Sequence, residues 1–318
     1  MRTRERASRP QAGAGDEARA GSAGRPWMLL EGDALTCARA LPDGRFDLIY
    51  ADPPFRTGRV HGAAGGARFS DRWPGGPDEY LGWLEIRLAE MRRLLAPTGS
   101  LFVHLDWHAA HAAKLALDRL FGAQLFVNEI VWSYRTGGGG RRRLACKHDT
   151  IFFYAREKAY KFHPLRERSA LSHAYGFANA GVLRDAAGPY RMALLRDVWE
   201  IPALRGNMPE RVAFPTQKPL ALLRRIVRLV TDPGDLVGDF FCGSGTTLVA
   251  AVTEGRCAIG GDRSSPRAWV LSGDRIEERV LSLGERDGAM TVVKKGLASG
   301  ERVVVGPSAG LQDGLRVR

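Results

Sequence analysis

Phe46-Asp47-Leu48-Ile49-Tyr50-Ala51-Asp52-Pro53-Pro54-Phe55 is the stretch around which the chain is organised. The run from Phe46 to Ala51 has the length and apolar density of a buried strand. Asp52 then stands at its carboxyl end, where ligands collect in open α/β sheets. Each proline locks φ, lacks an N–H and pushes the preceding residue toward extended geometry. The Asp52 carboxylate and the Pro53 carbonyl are thereby held out as acceptors with little freedom, and Phe55 adds a flat apolar face. Acceptors beside an aromatic ring suit a planar heterocycle that carries an exocyclic amino group, such as adenine or cytosine. Taken alone, the tetrapeptide reads equally well as a strand-ending turn.

A second motif shifts that balance. Asp235-Leu236-Val237-Gly238 leads into Asp239-Phe240-Phe241-Cys242-Gly243-Ser244-Gly245-Thr246-Thr247 and then Leu248-Val249-Ala250-Ala251, a strand, glycine turn and helix. Glycines let a backbone approach a nucleotide-like ligand closely, and Asp239 is an acceptor suited to an ammonium group.

Together the motifs resemble the beta-group DNA amino-methyltransferases, the N6-adenine and N4-cytosine methylases in which the catalytic tetrapeptide precedes the glycine loop. The similarity runs from about Leu29 to about Glu277. It takes in Gly32-Asp33, Val103-His104-Leu105-Asp106-Trp107-His108, Asn128-Glu129-Ile130-Val131-Trp132, Lys147-His148-Asp149-Thr150-Ile151 and Pro215-Thr216-Gln217-Lys218-Pro219. The resemblance implies an α/β, Rossmann-like, circularly permuted sheet with an inserted target-recognition lobe, S-adenosyl-L-methionine as cofactor and double-stranded DNA with a flipped base as substrate. Asp52, Pro53, Pro54 and Phe55 become the catalytic residues. Asp33, Thr216, Lys218, Asp239, Phe241, Gly243, Gly245, Thr246 and Asp262 become cofactor-binding residues, with Asp33 near the adenosyl part, Lys218 near the methionine end and Asp262 on the ribose. Asp33 has a competing role as a helix cap for Ala34 onward, and Lys218 as a surface cation. Beta-group relatives commonly dimerise, and a cognate restriction endonuclease is a candidate partner.

At 318 residues the chain can bury a large core, and its formal charge of +12 suits a polyanionic partner. No apolar run reaches the length of a membrane span and no signal-peptide pattern precedes residue 30, so a cytoplasmic location is expected. Cys37, Cys146, Cys242 and Cys257 lack paired spacing, which speaks against a zinc site or a disulfide framework.

Residues 1–26, rich in Arg, Ala, Gly and Ser, read as a disordered basic arm, and the catalytic half spans 27–156. The Gly- and Arg-rich stretch 56–79 is too long for an ordinary connection and is expected to close over the base or the cofactor. Leu81, Leu84, Leu88, Met91 and Leu95 recur at helical spacing, a strand is expected from Ser100 to Asp106, and a helix from Ala109 to Phe121. His104, His108 and His111 lie close together but lack metal-ligand spacing and read as satisfied polar side chains, so no metal is expected.

After Gly137 to Gly140, Arg141, Arg142 and Arg143 read as a hinge suited to gripping phosphates, with Lys147 beyond it, and alternatively as a solvated basic face. The sheet is expected to finish with the strand ending at Ala155, and 157–210 to form the recognition lobe, in which Tyr160, Phe162, Tyr175, Phe177, Tyr190 and Trp199 read equally as a small core or as base contacts. A helix with Leu223, Ile226, Val227 and Val230 on one face opens the cofactor half at 211–280, and 281–318 reads as a small C-terminal β extension.

Ring-carbon methylation of cytosine needs a cysteine that follows proline in that family, and this chain has no Pro-Cys. Protein-glutamine methyltransferases carry the glycine loop first, whereas here it comes last. Among amino-methylases the cytosine subgroup more often begins its corner with Ser, so Asp52 favours adenine, with N4-cytosine methylation as the alternative. A catalytically inactive DNA-binding regulator is the further alternative. The chain has lost none of Asp52, Phe55 and the glycine loop, which that reading would require.

Overall fold

The computed structural model describes residues 27–30, 32–59, 71–134, 142, 144–171, 181–206, 208–212, 214 and 216–261, and as backbone alone the strands at 60–62, 68–70 and between 267 and 303. In chain order these are β1 (Trp27–Leu30), α1 (Ala34–Arg39), β2 (Phe46–Ala51), β3 (Val60–Gly62), β4 (Arg68–Ser70), α2 (Gly76–Leu94), β5 (Leu95–Leu105), α3 (Ala110–Phe121), β6 (Phe126–Ser133) and β7 (His148–Ala155). There follow β8 (Arg166–Ala170), β9 (Leu183–Asp185), β10 (Gly188–Leu194), β11 (Val198–Glu200), α4 (Leu220–Val230), β12 (Leu236–Asp239), α5 (Thr246–Thr253) and β13 (Cys257–Gly261). Past these lie β14 (Arg267–Ser272), β15 (Arg275–Val280), β16 (Ser282–Asp287), β17 (Met290–Lys295) and β18 (Arg302–Val303).

The central sheet has eight strands in the order β1-β13-β12-β2-β5-β7-β6-β11. Its strands pair in parallel from β1 through β5, and β7 runs antiparallel between β5 and β6. Alternation along each strand sends side chains to opposite faces. Ile49, Ala51, Leu101, Val103 and Leu105 pack with α1, α2 and α3, whereas Leu48, Tyr50, Phe102, Ile151 and Phe153 pack with α4 and α5. With both faces covered, strands that are apolar throughout are what the architecture demands. On α4, Leu222, Leu223, Ile226, Val227, Leu229 and Val230 are all buried. Each such side chain contributes about 1.5–3 kcal/mol of burial free energy.

The permutation is visible in the pairing. β12 lies beside β2, with Val237 opposite Leu48 and Gly238 opposite Ile49. Although 184 or more residues separate them in sequence, the carboxyl ends of these parallel strands are neighbours, so the proline corner and the glycine loop lie side by side at one end of the sheet. Gly238 makes this approach feasible, since a Cβ there would fall 2.7 Å from the Phe46 ring.

Several expectations are corrected. The strand expected from Ser100 begins at Leu95, directly after the helix, with Leu95 opposite Phe46 across an irregularity in the register. The stretch after the corner forms the β3–β4 hairpin, and its helix starts at Gly76. The sheet does not finish at Ala155, because β11 adds a parallel edge strand beside β6. Trp199, Tyr160 and Phe162, expected in the lobe, pack instead on this sheet: Trp199 is buried in it, and Tyr160 and Phe162 lie against Phe153. The inserted β unit is thereby reduced to the three-stranded sheet β8-β10-β9. The C-terminal β structure begins at Arg267 and not at residue 281, since β14 and β15 pair with each other outside the central sheet.

Candidate active site

The backbone of the proline corner is held by residues distant in sequence. Tyr80 on α2 donates its hydroxyl to the Pro54 carbonyl at 2.8 Å. Asp71, 1% exposed, accepts from the Arg56 and Thr57 amides at 2.8 and 2.7 Å, from the Thr57 hydroxyl at 2.7 Å and from the Trp73 indole at 3.1 Å. These bonds hold Arg56 at φ 62°, a left-handed conformation uncommon outside glycine. The Arg56 guanidinium then donates to the His108 carbonyl at 2.7 Å, which ties the corner to the loop after β5.

Asp52 emerges from β2 with both carboxylate oxygens largely enclosed. Its Oδ2 is paired with the Lys218 ammonium, while Oδ1 is buried and has no hydrogen-bond partner among the described residues. Lys218 Nζ also lies 5.1 Å from the centre of the Phe55 ring. Sequence reasoning assigns Lys218 to the methionine end of the cofactor; here the same side chain sits on the carboxylate and over the aromatic face.

The glycine loop is held by local contacts. Asp239 ends β12, is 2% exposed, accepts from the Phe241 amide at 2.9 Å and is hydrogen-bonded by Thr247. Burial pushes its carboxyl up to about 7, with the negative charge of Asp52 adding to the effect. Gly245, at φ 76°, caps the start of α5, and a Cβ there would meet nothing within 4 Å. The Gly245 amide bonds the Cys242 carbonyl at 2.7 Å, and the Ser244 and Thr246 hydroxyls are 2.8 Å apart. A Cβ on Gly243 would lie 2.9 Å from Phe214, so the segment that carries Thr216 and Lys218 packs directly on the loop.

Asp33 does cap α1, accepting from the Leu35 amide at 2.9 Å, and its other oxygen accepts from Arg87 at 2.8 Å. Arg87 lies 4.1 Å over the Trp83 ring, and Trp83 is 5.9 Å from Phe241. Asp33 is therefore joined through Arg87 and Trp83 to the glycine loop.

His104 and His108 are satisfied side chains. His108 Nδ1 is 2.8 Å from Asp106 Oδ2, and both ring nitrogens of buried His104 have partners. Among the described residues no group of three or more His, Cys, Asp or Glu could hold a metal ion. The strands on either side of the arginine run, β6 and β7, end and begin at the end of the sheet where β2 gives way to Asp52, since Ser133 faces His148 and Leu105 faces Thr150. Arg142 is exposed and Lys147 half-buried, whereas Arg141, Arg143, Tyr175, Phe177 and Asp262 lie outside the described residues. Other basic residues of the span are occupied: Arg168 pairs with Asp185, Arg196 with Glu167, and Lys161 with Asp47 and Asp235 at the amino ends of the central strands.

Asp71, Tyr80, His104 and Asp149 are the supports that sequence reasoning passed over as functional residues. The one legible sign was an acid and two aromatics, Asp71, Trp73 and Tyr80, set in a polar stretch just beyond the corner.

The sequence profile of the DNA methylase family matches residues 46–268. Among curated proteins, the chain is 30% identical over 235 residues to the DNA adenine methyltransferase YhdJ of Escherichia coli (strain K12), covering 73% of this chain and 76% of that one. It is 28% identical over 246 residues to the type II methyltransferase M.BglII of Bacillus subtilis, covering 74% and 64%. Among solved structures, the PvuII DNA methyltransferase (cytosine-N4-specific) superposes with a TM-score of 0.54 at 17% identity, over 74% of this chain and 81% of that one, which shows a shared fold.

Proposed function

This chain belongs to the DNA methylase family, whose members use S-adenosylmethionine, and from that premise we propose that it methylates the N6 amino group of adenine in DNA. The observation that carries the reading is the Asp52 carboxylate, one oxygen buried and unpartnered, set beside the Phe55 face at the mouth of the glycine loop. Adenine is favoured over cytosine by the acid that opens the corner and by the likeness to an adenine methyltransferase.

The residues present fit the cofactor. Gly245 leaves open space where any other side chain would project, and Asp239 offers an acceptor to an ammonium group. Phe241, Gly243 and Thr246 belong to the same loop, Thr216 and Lys218 follow the Phe214 that packs on it, and Asp33 approaches it through Arg87 and Trp83. When bound, S-adenosylmethionine supplies a methyl group on a cationic sulfonium.

The amino nitrogen of adenine is a poor nucleophile because its lone pair is delocalised into the ring. Asp52 and the Pro53 carbonyl accept its hydrogens and draw it toward pyramidal geometry, which exposes the lone pair on the side of the glycine loop. Phe55 stacks on the flipped base, a contact worth about 1–3 kcal/mol, comparable to the few kcal/mol that flipping costs. Lys218 stands over that ring and on Asp52, so it moves aside as the base enters. The connection that contains Arg141, Arg142, Arg143 and Lys147 grips phosphates at this end of the sheet, and the β8-β10-β9 unit contributes to target recognition.

The test is to incubate the protein with unmethylated genomic DNA and S-adenosylmethionine labelled in its methyl group, digest to nucleosides and identify the labelled one by mass. N6-methyladenine is the expected product. N4-methylcytosine would keep the chemistry and overturn the base, and an unlabelled digest would overturn the activity.

A further inference from the structure

Beneath the corner lies a buried polar chain that the transfer chemistry does not call on. His104, 0% exposed, sits on β5 with Tyr50 Oη 2.7 Å from its Nδ1 and Asp149 Oδ2 3.1 Å from its Nε2. Asp149 opens the buried part of β7, and its other oxygen accepts from the Tyr134 hydroxyl at 2.9 Å. Phe55 stacks on the His104 ring at 5.7 Å between centres and 29° between planes, and Trp132 closes the imidazole edge-on at 5.4 Å. Phe55 therefore has one face on His104, while Lys218 lies over its ring.

The hydrogen bonds define the imidazole. Burial, and then the charge of Asp52, keep the Tyr50 hydroxyl protonated well beyond its ordinary range, and it shares a hydrogen bond with Nδ1. Nε2–H then donates to Asp149. Burial opposes ionisation of Asp149, but the His104 hydrogen bond and nearby cationic charge hold its carboxyl below the usual range. With both nitrogens engaged the ring is held against rotation in its slot.

We infer that His104, oriented by Asp149, is a positioning residue that sets the plane and height of Phe55 and so the slot in which the flipped base is held. A carboxylate on one strand fixes an imidazole on the next, and the imidazole fixes the aromatic face at the substrate. Neither residue touches the base. The inference rests on the proposed base-flipping methyltransferase activity, and misplacement of a reacting group by about 1 Å can cost 10²-fold in rate.

The test is a double-mutant cycle on single-turnover transfer, with DNA and cofactor affinities measured alongside. Asp149→Ala is expected to lower the transfer rate about 30-fold while both affinities stay within about threefold, and Asp149→Asn, which can still accept from Nε2–H, to recover most of that rate. In a Phe55→Ala background the Asp149→Ala loss is expected to shrink below about threefold, because there is no ring left to position. Imidazole nitrogen NMR of the free protein is expected to show a hydrogen-bonded Nε2–H on His104 and to lose that bond in Asp149→Ala. If Asp149→Ala does not fold, His104→Phe enters the same cycle. Additive losses alongside normal wild-type transfer would overturn the positioning role alone. A wild type that transfers no methyl group to DNA would overturn the reading beneath it as well.

Discussion

The proline corner and the glycine loop end neighbouring parallel strands, yet they are held in opposite ways. The loop is closed by its own segment: Asp239 bonds Phe241 two residues on, Gly245 bonds Cys242, and Ser244 meets Thr246. The corner is closed from elsewhere, by Asp71, by Tyr80, by His104 on β5 and by Lys218 just before α4. A locally closed element keeps its shape when distant residues change, whereas the corner depends on many parts of the fold at once. The loop's shape is thus set largely within one short segment, and the corner's by the tertiary structure.

That contrast can be broken at Asp71. Asp71→Ala removes four hydrogen bonds around Arg56 and Thr57 and leaves two amides and an indole N–H without their carboxylate. The expected loss is about 3 kcal/mol of stability by chemical denaturation. Transfer should fall while cofactor affinity in the folded protein holds, and an unchanged transfer rate would mean that the corner is rigid by virtue of its prolines alone.

A smaller effect is expected at Asp239. Its carboxyl, raised by burial to about 7, is neutral below that pH and charged above it. If it pairs with the ammonium group of the cofactor, affinity should weaken as pH falls below about 7, approaching tenfold per unit, and calorimetry of Asp239→Asn should show a flatter profile. The stability sign is the reverse. The folded state holds a proton that the unfolded chain has released, so this group's contribution is fully present at about pH 4 and is lost as pH rises through about 7.

The least change is expected from Gly245→Ala. A side chain at φ 76° costs about 1–2 kcal/mol, and its Cβ would project into the open space of the loop. Cofactor affinity should fall about tenfold in a titration with the corner's DNA contacts unaffected; equal losses of DNA and cofactor binding would show that the loop and corner are not separable.

The same contrast explains what could be read from the chain. The loop's strand, turn and helix follow one another in sequence, and the apolar runs of β2, β5 and β7 announce a sheet buried on both faces. Two of the corner's supports, His104 and Asp149, look like satisfied strand residues until pairing sets Thr150 beside Leu105 and Ile151 beside His104. Lys218 reads as a cofactor contact by its motif, and only the approach of α4 to β2 places its ammonium on Asp52. Where the lobe's own packing begins is not legible, because Trp199, Tyr160 and Phe162 carry no local mark of which sheet they pack on. Similarly, β14 and β15 continue the strand pattern of β13, and only their antiparallel pairing shows that they leave the central sheet.

The most direct test of the account is the transfer rate of Asp52→Ala and Asp52→Asn, measured in single turnover with both ligands saturating and with their affinities determined in parallel. The account predicts that transfer falls by about 10³-fold or more in both variants while DNA and cofactor still bind within a few-fold of the wild type. Turnover retained by either variant would remove the Asp52 carboxylate from the chemistry and leave the corner as a structural turn.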